Sequence, residues 1–113
     1  MRKITTVLLS GFLLFGPGLV GTAGAEADEA DALKLIRESK CARCHEVDKP
    51  KKGTPYAQTA ENYRDKPNAI DEVIEHITKR QQVEVDGEMV DHGTARTRDA
   101  ARVKNLAEWI LSR

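Results

Sequence analysis

Cys41-Ala42-Arg43-Cys44-His45 is the stretch on which the fold of this chain turns. Two thiols three positions apart, followed at once by an imidazole, form the CxxCH attachment signature of a c-type haem. The cysteines bond the two vinyl groups along one edge of a porphyrin, and the histidine is carried beneath its iron. The five residues therefore predict one covalent haem c, held through Cys41 and Cys44 with His45 as an iron ligand.

Other chemistries explain the same residues less well. A structural zinc site wants four ligands, usually a second Cys or His pair at matching spacing, and His76 and His92 stand far apart in the chain. A thioredoxin-like CxxC follows a strand in a βαβ pattern, whereas this one follows a charged helical stretch. A plain disulfide suits an oxidising compartment but leaves His45 as a coincidence.

The first residues agree on independent grounds. Met1-Arg2-Lys3 is a short basic start, Ile4 to Val20 is apolar apart from small and hydroxyl residues, and Ala23-Gly24-Ala25 precedes Glu26. This is the pattern of a secretory signal peptide over residues 1–25, cleaved before Glu26. The competing reading, an uncleaved membrane anchor, has an apolar run that is a little short and is broken by Gly16-Pro17-Gly18. Export predicts a bacterial periplasmic location, with membrane association only if the signal is retained.

Removing 25 of the 113 residues leaves 88, enough for one small domain at 26–113. Without Arg2 and Lys3 that domain carries 16 basic against 18 acidic residues, a formal charge of −2. Such a balance points away from nucleic acid as a partner. A chain of this size buries little apolar surface and usually needs a metal, disulfides or a cofactor to stabilise it. A porphyrin would supply the missing apolar mass. Nothing in the 88 residues suggests a substrate pocket or a catalytic acid and base pair, so no enzymatic activity is expected.

Helical periodicity dominates the rest. Residues 28–40 form a first helix with Ala32, Leu33, Leu35 and Ile36 on its apolar face, and it delivers Cys41 at its C-terminal end. A loop rich in lysine follows from Val47 to Pro55, and Thr54 to Tyr63 allows a short helix. Asn68 stands at the head of a third helix bearing Ile70, Val73, Ile74 and Ile77, with Asp71 and Glu72 where the helix dipole favours acids. That helix fades near Gln82. Val83 to Thr97 lacks helical period and reads as an extended loop. Asp99 to Ser112 forms the last helix, with Val103, Leu106, Ala107, Ile110 and Leu111 in one stripe and Trp109 beside it. The expectation is an all-α chain of helices and loops around one covalent haem, with no sheet.

The order of these features resembles that of small bacterial class I cytochromes c, over nearly all of residues 28–113. The resemblance rests on the helix entering CxxCH, on Gly53 eight residues after His45, on Tyr56 and Tyr63, and on the ending Asn105-Leu106-Ala107-Glu108-Trp109-Ile110-Leu111-Ser112. It implies the cytochrome c fold, in which the first and last helices cross with Trp109 toward the Leu33 and Ile36 side. It also implies electron transfer: iron held by six ligands has no vacant position for a substrate and cycles between two oxidation states without rearrangement.

The resemblance extends to the ligands. The family usually takes the hydrogen bond from the proximal histidine on the carbonyl of a proline directly after the glycine. Here Thr54 occupies that place and Pro55 comes one later, so the acceptor for His45 would be the Thr54 carbonyl. Tyr56 would hydrogen-bond a haem propionate or fill space under the ring. The sixth ligand departs from the usual methionine followed by proline. Spacing leaves Met89 and His92 both open. Loop composition favours His92, flanked by Asp91 and Gly93, over Met89, which Val90 follows. A His92 ligand predicts a low-potential carrier, because methionine raises the potential relative to bis-histidine ligation. His76, at the edge of an apolar stripe, reads as a half-exposed surface residue.

Three functional classes follow. The first is a periplasmic electron carrier, docking redox protein partners near Lys49, Lys51 and Lys52. The second, if the iron has an open position, is a module binding nitric oxide, carbon monoxide or oxygen. The third is the haem subunit of a periplasmic oxidoreductase complex.

Overall fold

A computed structural model describes residues 26–113 and, apart from them, Gly16; the signal-peptide reading of residues 1–25 lies outside the described residues. Four α-helices, one 3₁₀ turn and a two-stranded sheet follow one another along the described chain. Among the described residues no helix is long and apolar enough to cross a membrane.

Helix α1 spans Glu29–Glu38. The Asp28 side chain accepts from the Asp31 backbone N–H at 3.0 Å, and Glu29 and Asp31 sit at the positive end of the dipole. Its buried stripe is Ala32, Leu35, Ile36 and Ser39, a spacing of three, four and seven residues that holds one face of a 3.6-residue repeat. Leu33, expected on that face, is 36% exposed instead. One residue on from Ala32 is about 100° round the helix, which takes Leu33 off the stripe.

The last helix, α4, spans Ala100–Leu111 and is capped by Asp99, whose carboxylate accepts from Ala101 N–H at 2.9 Å. It packs against α1 and also against α2 (Tyr56–Tyr63) and α3 (Ala69–Thr78). Ala32 of α1 and Ala107 of α4 are both fully buried, so small side chains allow close approach while Leu35, Leu106 and Trp109 fill the flanks. Burying each leucine contributes roughly 1.5–3 kcal/mol. Polar clamps fix the register of the pair. Asn105 accepts from Asp28 N–H at 2.7 Å and donates to the Asp28 carbonyl at 2.8 Å. Arg102 bonds Asp31 at 2.9 Å and Glu38 at 3.2 Å.

The segment expected to be an extended loop contains a hairpin. Strands β1 (Gln82–Val85) and β2 (Glu88–Asp91) pair antiparallel, with Val83 opposite Val90 and Glu84 opposite Met89. Asp86 (φ 52°) and Gly87 (φ 84°) make the two-residue turn with positive φ at both positions, for which Asp-Gly is a preferred pair. The fold is mainly helical with this small sheet added. Asn68 stands at the head of α3 but its side chain makes no capping bond, and α3 stops at Thr78 where Lys79 turns extended.

Between α1 and the 3₁₀ turn (Cys41–Arg43) the chain reverses at Lys40, which adopts the left-handed conformation with φ 61°. Ser39 N–H bonds the Leu35 carbonyl at 2.9 Å and Lys40 N–H bonds that of Arg37 at 3.2 Å, closing the helix end. A side chain in that conformation costs about 1–2 kcal/mol, part of which glycine returns through its greater freedom when unfolded. Lys40→Gly should therefore stabilise the protein by up to about 1 kcal/mol and Lys40→Val should destabilise it. Denaturant midpoints at constant slope check both, and a less stable glycine variant would contradict the strain.

Candidate functional site

The 3₁₀ turn sets the first half of the site. Cys44 N–H and His45 N–H both bond the Cys41 carbonyl, at 3.1 and 3.0 Å. The two sulfurs and the imidazole are thereby carried on one tight turn. The following loop folds back, with Gly53 N–H on the Cys44 carbonyl at 2.7 Å and Tyr56 N–H on that of Glu46 at 2.9 Å. It brings the Thr54 carbonyl to 2.7 Å from Nδ1 of His45. A carbonyl only accepts, so Nδ1 carries the hydrogen and Nε2 keeps its lone pair. Tyr56 stacks on the His45 ring at 5.5 Å between centres and 19° between planes.

Gly53 has a steric reason as well as a spacing. A Cβ at this position would meet three atoms of the His45 ring, Cε1, Nδ1 at 2.7 Å and Nε2 at 2.8 Å. Its backbone forms the wall against which the ring lies.

Cys41, Cys44, His45, Thr54, Tyr56 and His92 all border one cavity of about 420 Å³. Both cysteines are free thiols and half-buried. Burial pushes the Cys41 thiol upward, a backbone hydrogen bond opposes this, and the neighbouring Cys44 adds to the rise. Burial likewise pushes the Tyr56 hydroxyl well above its ordinary range, with Cys41 contributing. That hydroxyl is buried with no hydrogen-bond partner, as is Nε1 of Trp109, which meets Tyr56 edge-on at 5.6 Å. A buried donor left unpaired costs about 1–3 kcal/mol, so the Tyr56 hydroxyl marks a place where an acceptor from a bound group belongs.

The hairpin and the segment after it form the opposite wall. Val83, Val85 and Val90 border the cavity, and so does His92. The centres of the His45 and His92 rings lie 6.2 Å apart with planes at 69°. Metal–imidazole bonds are about 2.0–2.1 Å long, so two imidazoles on opposite sides of one metal have ring centres about 6 Å apart. Met89 does not border the cavity and is 60% exposed on the hairpin. Burial, then His76, then His45 push the His92 ring below its usual pKa, against a smaller opposing effect of the Gly93 backbone. Nδ1 of His92 is nonetheless buried without a partner in bonding geometry.

His76, read from sequence as a surface residue, is exposed by area but also borders the cavity, its ring centre 4.6 Å from that of His92. The sequence signal for it was only its place between Ile74 and Ile77. Among the described residues no three His, Cys, Asp or Glu side chains are grouped to hold a bare metal ion. Two imidazoles are too few for such an ion, but two would suffice for an iron that already has four porphyrin nitrogens. The cavity, the paired thiols, the imidazole separation and the unpaired hydroxyl thus fit a covalent haem.

The chain resembles solved structures of this kind. The class 1 cytochrome MtoD from Sideroxydans lithotrophicus ES-1 shares 38% identity with a TM-score of 0.72, over 76% of this chain and 96% of that one. Wild-type cytochrome c552 from Nitrosomonas europaea shares 24% identity with a TM-score of 0.57, and a deletion mutant of it shares 25% with 0.58. Each of these two matches spans 71% of this chain and 96% of its own. No family model and no curated relative matches. The chain belongs to the class I cytochromes c. It carries one haem c, bound covalently through Cys41 and Cys44.

Gly53→Ala should push the His45 ring off its position, since the added methyl overlaps ring atoms on the backbone side. In protein matured in a haem-attaching host, the ferric spectrum should shift toward high spin and the haem-to-protein ratio should fall. An unaltered spectrum would contradict the assigned contact.

Proposed function

We propose that the chain is a periplasmic electron carrier whose single haem is bound by His45 and His92 and works at low potential. Class membership supports electron transfer by the haem c, and a haem so held supplies one reversible electron as its iron cycles between ferrous and ferric. The observation that carries the finer reading is the 6.2 Å separation of the two imidazole centres across the cavity, with Met89 exposed outside it. His45 holds the ring from the side of Gly53 and Thr54. Its Nδ1 hydrogen bond to Thr54 fixes the tautomer and strengthens Nε2 as a donor to iron. Tyr56 offers its unpaired hydroxyl to a propionate. Val83, Val85 and Val90 keep water from the opposite face, and a dry pocket with fixed ligands keeps reorganisation small.

Residues 1–25 as a cleaved signal, with 26–113 as the mature domain, supply the export that attachment at Cys41 and Cys44 requires. Docking of an acidic redox partner belongs to the lysine-rich loop beside the attachment turn. Lys49, Lys51 and Lys52 are exposed there, and Lys52 borders the cavity. Lys51 is partly engaged, donating to the Ala42 carbonyl at 3.0 Å and lying 3.3 Å from Glu46, which leaves Lys49 and Lys52 the freer cations for steering.

Replacing the sixth ligand tests the reading. The wild type should lack the weak methionine–iron band at the red end of the visible spectrum and should bind carbon monoxide slowly in the reduced state. His92→Met should gain that band and raise the reduction potential by on the order of 0.1 V, a fraction of the roughly 0.8 V that axial ligation spans. A wild type that shows the band, or that binds carbon monoxide at once, would overturn bis-histidine ligation; the second result would favour a gas-binding module. Alanine at Lys49 and Lys52 should slow association with an acidic partner at low salt and leave the high-salt rate unchanged.

A further inference from the structure

The chain has three histidines, and the ligation proposed above uses two of them. A metal-bound imidazole ordinarily takes its orientation from a hydrogen bond at its other nitrogen. His45 has this bond, to the Thr54 carbonyl. His92 has no such bond of good geometry: its Nδ1 is buried with only the Gly93 backbone close enough to act on it. The orientation of the His92 ring therefore also depends on what packs against it.

Gln81 and His76 stand in the right place. The hairpin register pairs Gln82 with Asp91, and one step further the Gln81 carbonyl accepts from His92 N–H at 2.9 Å. The Gln81 side chain reaches back to α3. Its Nε2 donates to the His76 backbone carbonyl at 2.9 Å and lies 3.0 Å from His76 Nδ1. Only a donor satisfies the carbonyl, so this end of the amide is the nitrogen, and Nδ1 of His76 must offer its lone pair to it. In the neutral ring the hydrogen then sits on Nε2. With one nitrogen engaged and the other protonated, His76 has no free lone pair for iron. Its ring instead lies 4.6 Å from that of His92, tilted by 55°.

We propose that His76, clamped by Gln81, is the positioning residue for the His92 ring, fixing by packing the orientation that Thr54 fixes for His45 by a hydrogen bond. The proposal rests on His92 being the sixth ligand. It assigns the hairpin a task beyond covering the cavity: the Gln81–His92 pair just beyond its open end anchors both the ligand's backbone and the ring that braces it.

The test uses holoprotein matured in a haem-attaching host, with two readouts: the low-spin g-values of the ferric form and the rate of carbon monoxide binding to the ferrous form. His76→Ala should shift the g-values and speed carbon monoxide binding about tenfold or more, the scale on which outer partners of a ligand act. Gln81→Met, of similar size but without the two donated bonds, should move both readouts in the same direction. His76→Phe, which keeps a ring against His92, should restore both toward wild type. Wild-type values in His76→Ala would overturn the proposal, as would His76→Phe behaving like His76→Ala. Should His76→Ala fail to accumulate, Gln81→Met decides alone, and wild-type values there would overturn it. A methionine-ligated wild type would overturn the ligand assignment and this proposal together, whereas a bis-histidine wild type with unchanged variants overturns only the positioning role.

Discussion

The hold on the His45 ring is the constraint on which the rest of the structure depends. Three neighbours fix it at once: the Thr54 carbonyl at 2.7 Å from Nδ1, the bare backbone of Gly53 against its face, and Tyr56 stacked at 5.5 Å. Thr54 and Gly53 come from the loop that returns after the CxxCH turn, and Tyr56 from the first position of α2, which that loop leads into. The loop in turn is fastened to that turn by the short bond from Gly53 N–H to the Cys44 carbonyl. The attachment turn, the His45 ring and the closed loop are therefore one local arrangement, and a shift in any of them moves the others.

Helices α1 and α4 carry that arrangement and join it to the opposite wall. Ala32 and Ala107 let them approach, and Arg102 and Asn105 set their register against Asp31, Glu38 and Asp28. The end of α1 also reaches the segment after the hairpin, since Ser39, buried there, accepts from Arg96 N–H at 2.9 Å, while Ala95 N–H bonds the Ile77 carbonyl at the end of α3. The segment from His92 to Arg96 is thus held by both helices that flank it. Partial charge is sorted around this frame, with lysines on the attachment loop and Glu84, Asp86, Glu88 and Asp91 on the hairpin.

Much of this was legible in the sequence for identifiable reasons. The five residues from Cys41 to His45 declare the cofactor because their chemistry is local. The stripes of α1 and α4 show because burial on one helix face imposes a 3.6-residue period. Leu33 departs from its stripe because apolar character alone does not fix the angle round the helix, and one step from Ala32 carries it off the buried face. The hairpin has its own sequence signal, because Val83-Glu84-Val85-Asp86-Gly87-Glu88-Met89-Val90 holds Asp-Gly between short alternating runs. That signal is weak in periodicity, since strands of four residues carry only two apolar positions each and resemble a loop. Gly53 was visible as a spacing, but its steric reason appears only when the His45 ring is seen against it. His76 could not be read, because its role depends on a hairpin register that returns residue 92 to a helix ending at residue 78.

The most direct check on the account is the proton NMR spectrum of the reduced holoprotein. A group held over the porphyrin face is shifted far upfield by the ring current, whichever side chain supplies it. His92 ring protons should be shifted in this way while the Met89 methyl stays near its ordinary position. A Met89 methyl resonance displaced far upfield would contradict the pairing of His45 and His92 on one iron.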